Sequence, residues 1–472
     1  MYFILVLLLA CMSSVSKSYQ IDMTNGPILM KLLGFSIPLI FSSTLQLLFN
    51  AADVIVVGRF AGENSLAAVG ATGALINLMV NLFVGLSVGT TVVTAHFFGA
   101  GKGAAVEQSV HTGVLMSIYS GIILTVMGII GTRFILQFMQ VPVEIFGLAS
   151  LYLKVYFAGI TASMVYNFGS ALLRAKGDTR RPMYYLLFAG IINVILNLIF
   201  VIVFKMDVAG VALATIISQC VSAFLVIRAL MKEEGEFHLD LRRLRIEREI
   251  LIRVIKIGVP AGFQGMVFSL SNIVIQSAIN GFGAQVVAGS SAAGNIEGFI
   301  YTAMNGFAQG ALTFSSQNLG AGCLDRVRRS VVVSELSVLV TGLLLGGSVF
   351  LFRNFFLGLY SDNPAVIAAG ATRISIICLL YALCGMMETT ANMVRGLGHS
   401  LLPMVVSIAG VCGMRILWIA TIFQVPRFHT FEVLFYSYPV TWTITLLSHA
   451  VCLMVIFRKH GVLGQRGISK SL

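Results

Sequence analysis

Charge is what this chain has least of. Lys, Arg, Asp and Glu supply 11% of its 472 residues, less than half the roughly 25% of an ordinary soluble domain. That scarcity excludes the two or three soluble domains the length alone would suggest. Proline is sparse as well, nine residues in all, which leaves long stretches free to run as unbroken helix. The seven cysteines are odd in number and form no CxxC pair. There is thus neither a disulfide framework nor a metal-ligand spacing, and the cysteines read as small buried apolar residues. HExxH and P-loop motifs are missing, and the GxSxG match GLSVG at 85–89 lies inside an apolar run. This argues against a membrane-bound enzyme and against direct drive by ATP, and no cofactor is expected.

What is present is apolar: 57% of the residues are hydrophobic and 47 are glycine. Twelve apolar runs, each near the length of one bilayer crossing, lie at about 28–50, 67–94, 108–131, 147–170, 183–204, 209–231, 251–279, 292–315, 330–352, 365–390, 402–423 and 433–457. In lipid each must be a helix, because only a helix satisfies its own backbone groups. The fold class is therefore all-α, a polytopic membrane protein with twelve transmembrane helices. One long polar stretch, KEEGEFHLDLRRLRIERE at 232–249, splits the runs six and six. The expected organisation is a first lobe at 23–231, a linker at 232–250, a second lobe at 251–458 and a tail at 459–472. Residues 1–22, opening MYFILVLLLACMSS, resemble a short signal sequence but carry no basic residue before the apolar run. They read as an upstream extension, with Met12 or Met23 as alternative starts.

The halves repeat. IPLIFSSTLQLLFNAAD (37–53) aligns with VPAGFQGMVFSLSNIVI (259–275) at an offset of 222. GLSVGTTVVTAHFFGAGK (85–102) aligns with GFAQGALTFSSQNLGAGC (306–323) at 221, and RAKGDTRRPM (174–183) with RGLGHSLLPM (395–404) at the same 221. Six crossings per half is an even number, so both halves enter the membrane in the same direction. The repeat is parallel, with its two-fold axis along the membrane normal, an arrangement used by alternating-access transporters.

The net charge of +12 reports topology and not nucleic-acid binding. With both termini and the even-to-odd loops on one side, that side holds 23 Lys and Arg against six on the other. Basic loops stay in the cytoplasm, so both ends are expected inside a multi-pass inner membrane protein.

FNAADVIVVGRFAG at 49–62, the paired RxxG…P loops after runs four and ten, and INVILN in run five resemble the multidrug and toxic compound extrusion (MATE) transporters, over about residues 17–460. The resemblance implies two six-helix lobes in a V and efflux of organic, cationic compounds in exchange for H⁺ or Na⁺. It implies a first-lobe cation site in which Asp53 matches the acid of the first helix. Asn193 matches the asparagine of the fifth and Thr215 the threonine of the sixth. Asn197 falls where some members have aspartate, a departure that weakens Na⁺ binding at the Asp53 site. The seventh run, VPAGFQGMVFSLSN, lacks the glutamate of one Na⁺-using branch. A lipid-linked oligosaccharide flippase of a related superfamily is the alternative. It calls for a more cationic centre than Lys154 and Arg415, the two embedded bases, provide.

An ionisable group at mid-bilayer costs several kcal/mol and is a functional hypothesis by default. Asp53, Glu297 and Glu388 are the acids expected within spans. Asn193 and Asn197, at i and i+4, share a helix face from which they can bond Asp53. Glu388, whose repeat partner is Asn167, either pairs with Arg415 on the next span or stands free to bind a cationic substrate. Glu297 reads as an acid near the start of span eight, favoured by the helix dipole. Pro38 and Pro260 are expected to bend spans one and seven and are candidate hinges. The expected partners are small organic cations and membrane lipid, with no nucleic acid, and the protein is expected to act as a monomer.

Overall fold

The computed structural model describes residues 19–459. Most of the expected extension 1–22, including the alternative start Met12, and most of the tail 459–472 lie outside the described residues. The described residues form helices and no strand. The first half comprises α1 (Ile28–Val56), α2 (Glu63–Gly99), α3 (Gly103–Phe138), α4 (Val143–Ala158), α5 (Ile160–Lys176), α6 (Arg180–Leu198) and α7 (Asp207–Lys232). The second comprises α8 (Arg248–Asn280), α9 (Ala284–Gly320), α10 (Leu324–Leu351), the short α11 (Arg353–Gly358), α12 (Pro364–Ile377), α13 (Tyr381–Gly396), α14 (Leu401–Ser407), α15 (Met414–Ala420) and α16 (Phe431–Lys459).

Among the described residues, ten helical segments are long and apolar enough to cross a membrane. The expected fourth span is broken: α4 and α5 together make an eleventh crossing, bent by 46° at Gly159. The expected eighth lies in α9, which has the length, 37 residues, but is too rich in Gly, Ser, Asn and Gln to stand out as apolar. Its position explains the composition. Most of α9 is buried against α1, α2, α10, α12 and α13, so it meets protein and not lipid, and small residues let its neighbours approach. Outward, large apolar side chains such as Ile130, Phe134, Leu351 and Phe355 are more than half exposed, as a lipid-facing band requires.

The repeat is visible as repeated contacts. Gly85 and Gly89 of α2 press on Gly258 and Val254 of α8, while their repeat partners Gly306 and Gly310 of α9 press on Ser36, Ile40 and Leu32 of α1. Further along, α2 and α9 cross each other. Gly99 meets Gln317 and Gly320 meets His96, and on either glycine a Cβ would lie 2.0 Å from the opposing carbonyl oxygen. These are one contact seen twice, as a two-fold axis demands. Hydroxyls repeat in the same way: Thr179 donates to the Phe35 carbonyl at 2.9 Å and Ser400 to that of Ile257 at 2.7 Å. Gly177 and Gly398 end α5 and α13 with φ of 99° and 87°, backbone that favours a residue without Cβ.

The halves are joined at the end that carries the described amino terminus and the basic loops. There Gln317 Nε2 donates to the Ala175 carbonyl at 2.6 Å. Arg326 donates to the carbonyls of Met23, Asn25 and Gly26 at 2.7–2.8 Å. Among the described residues the bonds between halves stop at Asn81 Nδ2 to Ser269 Oγ, 3.4 Å, near the middle of α2 and α8. The charged linker is docked: Phe237 and Leu239 are buried, Glu233 pairs with Lys176 and Arg181, and the Asp240 amide donates to His111 Nε2 at 3.2 Å.

Candidate functional site

Asp53 lies on the last turn of α1. Asn193 and Asn197 point from one face of α6, and Thr215 from α7. The four side chains form one hydrogen-bonded chain. Asn197 Nδ2 donates to Asp53 Oδ1 and to Asn193 Oδ1 at 3.3 Å. Asn193 Nδ2 donates to Thr215 Oγ1 at 3.4 Å, and Thr215 donates to the Val211 carbonyl at 3.0 Å. Asn193 and Asn197 are buried and Asp53 half-buried. Among the described residues no basic side chain pairs with Asp53, and Asn197 Oδ1 is buried without a partner. Tyr152 and Tyr156 of α4 come within electrostatic reach of Asp53. They had escaped sequence reasoning, because aromatic residues in an apolar run carry no signal of their own.

A cavity of about 410 Å³ lies along the second lobe, with Asn81 of α2 also on its wall, and Glu297, Glu388 and Arg415 all line it. Neither alternative open for Glu388, a pair with Arg415 or a free acid, holds there. Glu388 bonds not Arg415 but Arg395, two helical turns along α13, at 3.4 Å, and accepts from Asn392 at 3.2 Å. Residues i and i+7 share a helix face, so the nearer partner lies on the same helix. Among the described residues Asn167, the repeat partner of Glu388, bonds back to Ser163 of its own helix, at 2.8 Å. Glu297 is corrected too. Helix α9 begins at Ala284, so Glu297 lies more than three turns inside it, beyond reach of the dipole of the first turn. It is held by both forks of Arg373, at 2.9 and 2.7 Å. Arg373, inside the expected run 365–390, belongs to α12. Arg415 is buried, lies 3.9 Å from the ring centroid of Tyr438, and donates from Nε to Thr441 at 3.3 Å.

One embedded acid had gone unnoticed. Glu335 sits inside the expected ninth span, in α10, and its Oε1 lies 2.7 Å from Thr390 Oγ1. Thr390 has one proton and also lies 2.9 Å from the Met386 carbonyl, so it cannot donate to both. A protonated Glu335 satisfies both bonds, donating to Thr390 while Thr390 donates to Met386. Helices α1 and α8 continue through Pro38 and Pro260. Irregular turns lie elsewhere: π-helical segments at Val57–Ala61, Ile199–Val203 and Ile408–Gly413 follow Asp53, follow Asn197 and precede Arg415. Such segments recur at functional sites.

Fold and site together define a class: an all-α, multi-pass membrane protein of two parallel-repeat bundles. The sequence profile of the MatE family matches residues 38–199 and again 260–420. The chain belongs to that family of membrane transporters, and this places it in the plasma membrane. The two matches begin 222 residues apart, the offset of the repeat. Over 399 residues the chain is 26% identical to "Probable multidrug resistance protein YpnP" of Bacillus subtilis, covering 84% of this chain and 89% of the relative. It is 25% identical over 413 residues to "Probable multidrug resistance protein NorM" of Thermotoga maritima, covering 85% and 87%. A protein named "FAD transporter" in Shewanella oneidensis is 23% identical over 352 residues, covering 73% and 76%. Among solved structures, a MATE family transporter in an outward-facing conformation shares the fold with a TM-score of 0.87, at 20% identity over 94% of this chain and 99% of that one.

Proposed function

We propose that the protein is a secondary active efflux antiporter of the multidrug type. It exports small organic compounds in exchange for H⁺ or Na⁺ by alternating access, as a monomer with both termini in the cytoplasm. The observation that carries this reading is the chain Asp53–Asn197–Asn193–Thr215, a carboxylate within a membrane helix that lacks a basic partner among the described residues. A charged Asp53 uses Asn197 as its donor. The orphan oxygen of Asn197 calls for a donor of its own, and a proton carried by Asp53, or a Na⁺ between the two, supplies one. Asp53 sits on α1, and the other half of α1 packs on α9 at Ser36 and Ile40. A change of charge at Asp53 therefore acts on a helix that also forms the seam between the lobes. With both termini cytoplasmic, a seam closed at the basic end is the arrangement an outward-open state requires.

Substrate completes the cycle only if it binds the two states differently. The cationic class suggested by the resemblance calls for a free acid in the path. Glu297 and Glu388 each have an arginine partner, which turns the question of substrate charge to Arg415. The test of the antiport reading is ΔpH-driven or Na⁺-driven dye efflux in proteoliposomes. Asp53→Asn is expected to abolish the gradient dependence while the protein still inserts and folds. Gradient-coupled efflux at the wild-type rate in that variant would falsify the assignment.

A further inference from the structure

The charges around the second-lobe cavity do not balance. Two acids line it, and each is already engaged: Glu297 by both forks of Arg373, Glu388 by Arg395. The third charged lining residue, Arg415, has no acidic partner among the described residues. Its polar contact is the single Nε bond to Thr441, and its plane lies over Tyr438 at 3.9 Å, with Trp442 at 5.9 Å. Its two terminal nitrogens have no hydrogen-bond partner among the described residues, although the side chain is 95% buried by its 5% exposure. Stacking on aromatic faces offsets part of the cost of burying a cation but satisfies none of its N–H groups. A guanidinium fixed from behind, with its fork turned to a cavity, is a ready bidentate partner for a carboxylate, sulfonate or phosphate.

We infer that this cavity binds the anionic group of an aromatic or otherwise flat organic acid, with Arg415 as its counter-ion and Tyr438 and Trp442 as walls for the ring system. A cation entering the same cavity must draw Glu388 away from Arg395, which is itself buried, and so leave a second guanidinium without its acid. An anion completes Arg415 and disturbs neither existing pair. The π-helical segment Ile408–Gly413 immediately before Arg415 gives that turn of the helix a rotation a regular α-helix would not. The inference rests on the transporter reading, since it names the substrate of such a protein. It is independent of the driving ion.

The experiment is calorimetric titration of the purified full-length protein in detergent, with no ion gradient, using two probes of equal body and opposite charge: 2-naphthoate and protonated 2-naphthylmethylamine. Naphthoate is expected to bind about tenfold or more tighter than the amine, and Arg415→Gln to lose at least about tenfold in naphthoate affinity. Arg415→Lys keeps the charge without the fork and is expected to fall between the two, which separates lost recognition from lost folding. Glu388→Gln makes the cavity more positive and is expected to tighten naphthoate. Preference for the amine, no binding of either probe, wild-type affinity in Arg415→Gln, or weakened naphthoate binding in Glu388→Gln would each overturn the inference. Because no gradient is applied, those outcomes leave the coupling role of Asp53 standing, and failure of Asp53→Asn to uncouple efflux leaves this inference standing.

Discussion

Substituting Gly99 by alanine tests how tightly the basic end of the molecule is closed. The added Cβ would lie 2.0 Å from the Gln317 carbonyl oxygen, whereas carbon–oxygen contacts settle near 3.3 Å or more. Helices α2 and α9 would have to separate there by about 1.3 Å, and the obstacle is backbone, so no side-chain rotation absorbs it. Overpacking of this kind costs about 1–3 kcal/mol. The cost falls only on the state in which the two helices touch, so the balance of joined and parted ends shifts by roughly 5- to 150-fold. The repeat makes a second prediction from the same number: Gly320→Ala meets the His96 carbonyl at the same 2.0 Å and should act alike. Gly298→Ala is the control, on α9 with nothing within 4 Å of its Cβ. The assay is pulsed electron resonance between spin labels at positions 102 and 323, repeat-related loop residues, in otherwise cysteine-free protein. Gly99→Ala and Gly320→Ala should move the distance distribution outward and Gly298→Ala should not. An unchanged distribution in Gly99→Ala, or an equal shift in the control, would refute the argument that close glycine packing holds this end shut.

Three further outcomes follow from the charged groups. Glu297→Gln leaves Arg373 buried without its acid and should cost about 3–5 kcal/mol, read as a lowered thermal transition in detergent, with recovery when Arg373→Met is added. Glu335→Gln replaces the carboxyl with a neutral amide that can still donate to Thr390. Efflux and thermal stability should therefore stay near wild type, and loss of efflux would show that the charge of Glu335 is used. At the linker, burial raises the Glu233 carboxyl, but hydrogen bonds and charge from Lys176 and Arg181 outweigh it and hold it below its ordinary value. A depressed folded value gives stability that is present above the ordinary carboxylate range and lost as the pH falls through the folded value. Protease cleavage within 234–247 should therefore accelerate on going from pH 7 to about pH 3, and Glu233→Gln should show the faster cleavage already at pH 7.

How much of the site was legible depended on whether its residues spoke along one helix or across several. Asn193 and Asn197 lie at i and i+4, so their shared face was readable, and Asp53 stood out as an acid in an apolar run. Glu335 was as readable by that rule, since VVVSELSVLV is no less apolar, and it was overlooked. The partner of Glu388 was a different matter. Arg395 and Arg415 were both near in sequence, and the choice between them depended on helix rotation and on where α15 packs. Glu297 was misjudged because the polar opening of α9 looked like loop. Only the surrounding helices explain why a crossing helix there carries Gly, Ser and Asn.

By itself the sequence determined the class, a number of crossings close to that of the structure, and the parallel repeat. These depend on composition, on lengths set by the bilayer, and on a constant offset, all properties of a one-dimensional string. Its 23-to-6 division of basic residues fixed the expected orientation for the same reason. Tertiary structure decided which buried charges have partners, that the lobes meet through Gly99 and Gly320, and that Arg415 is left facing a cavity. Those outcomes turn on side-chain contacts of a few ångströms between helices far apart in the chain, where a rotation of one helix exchanges one partner for another.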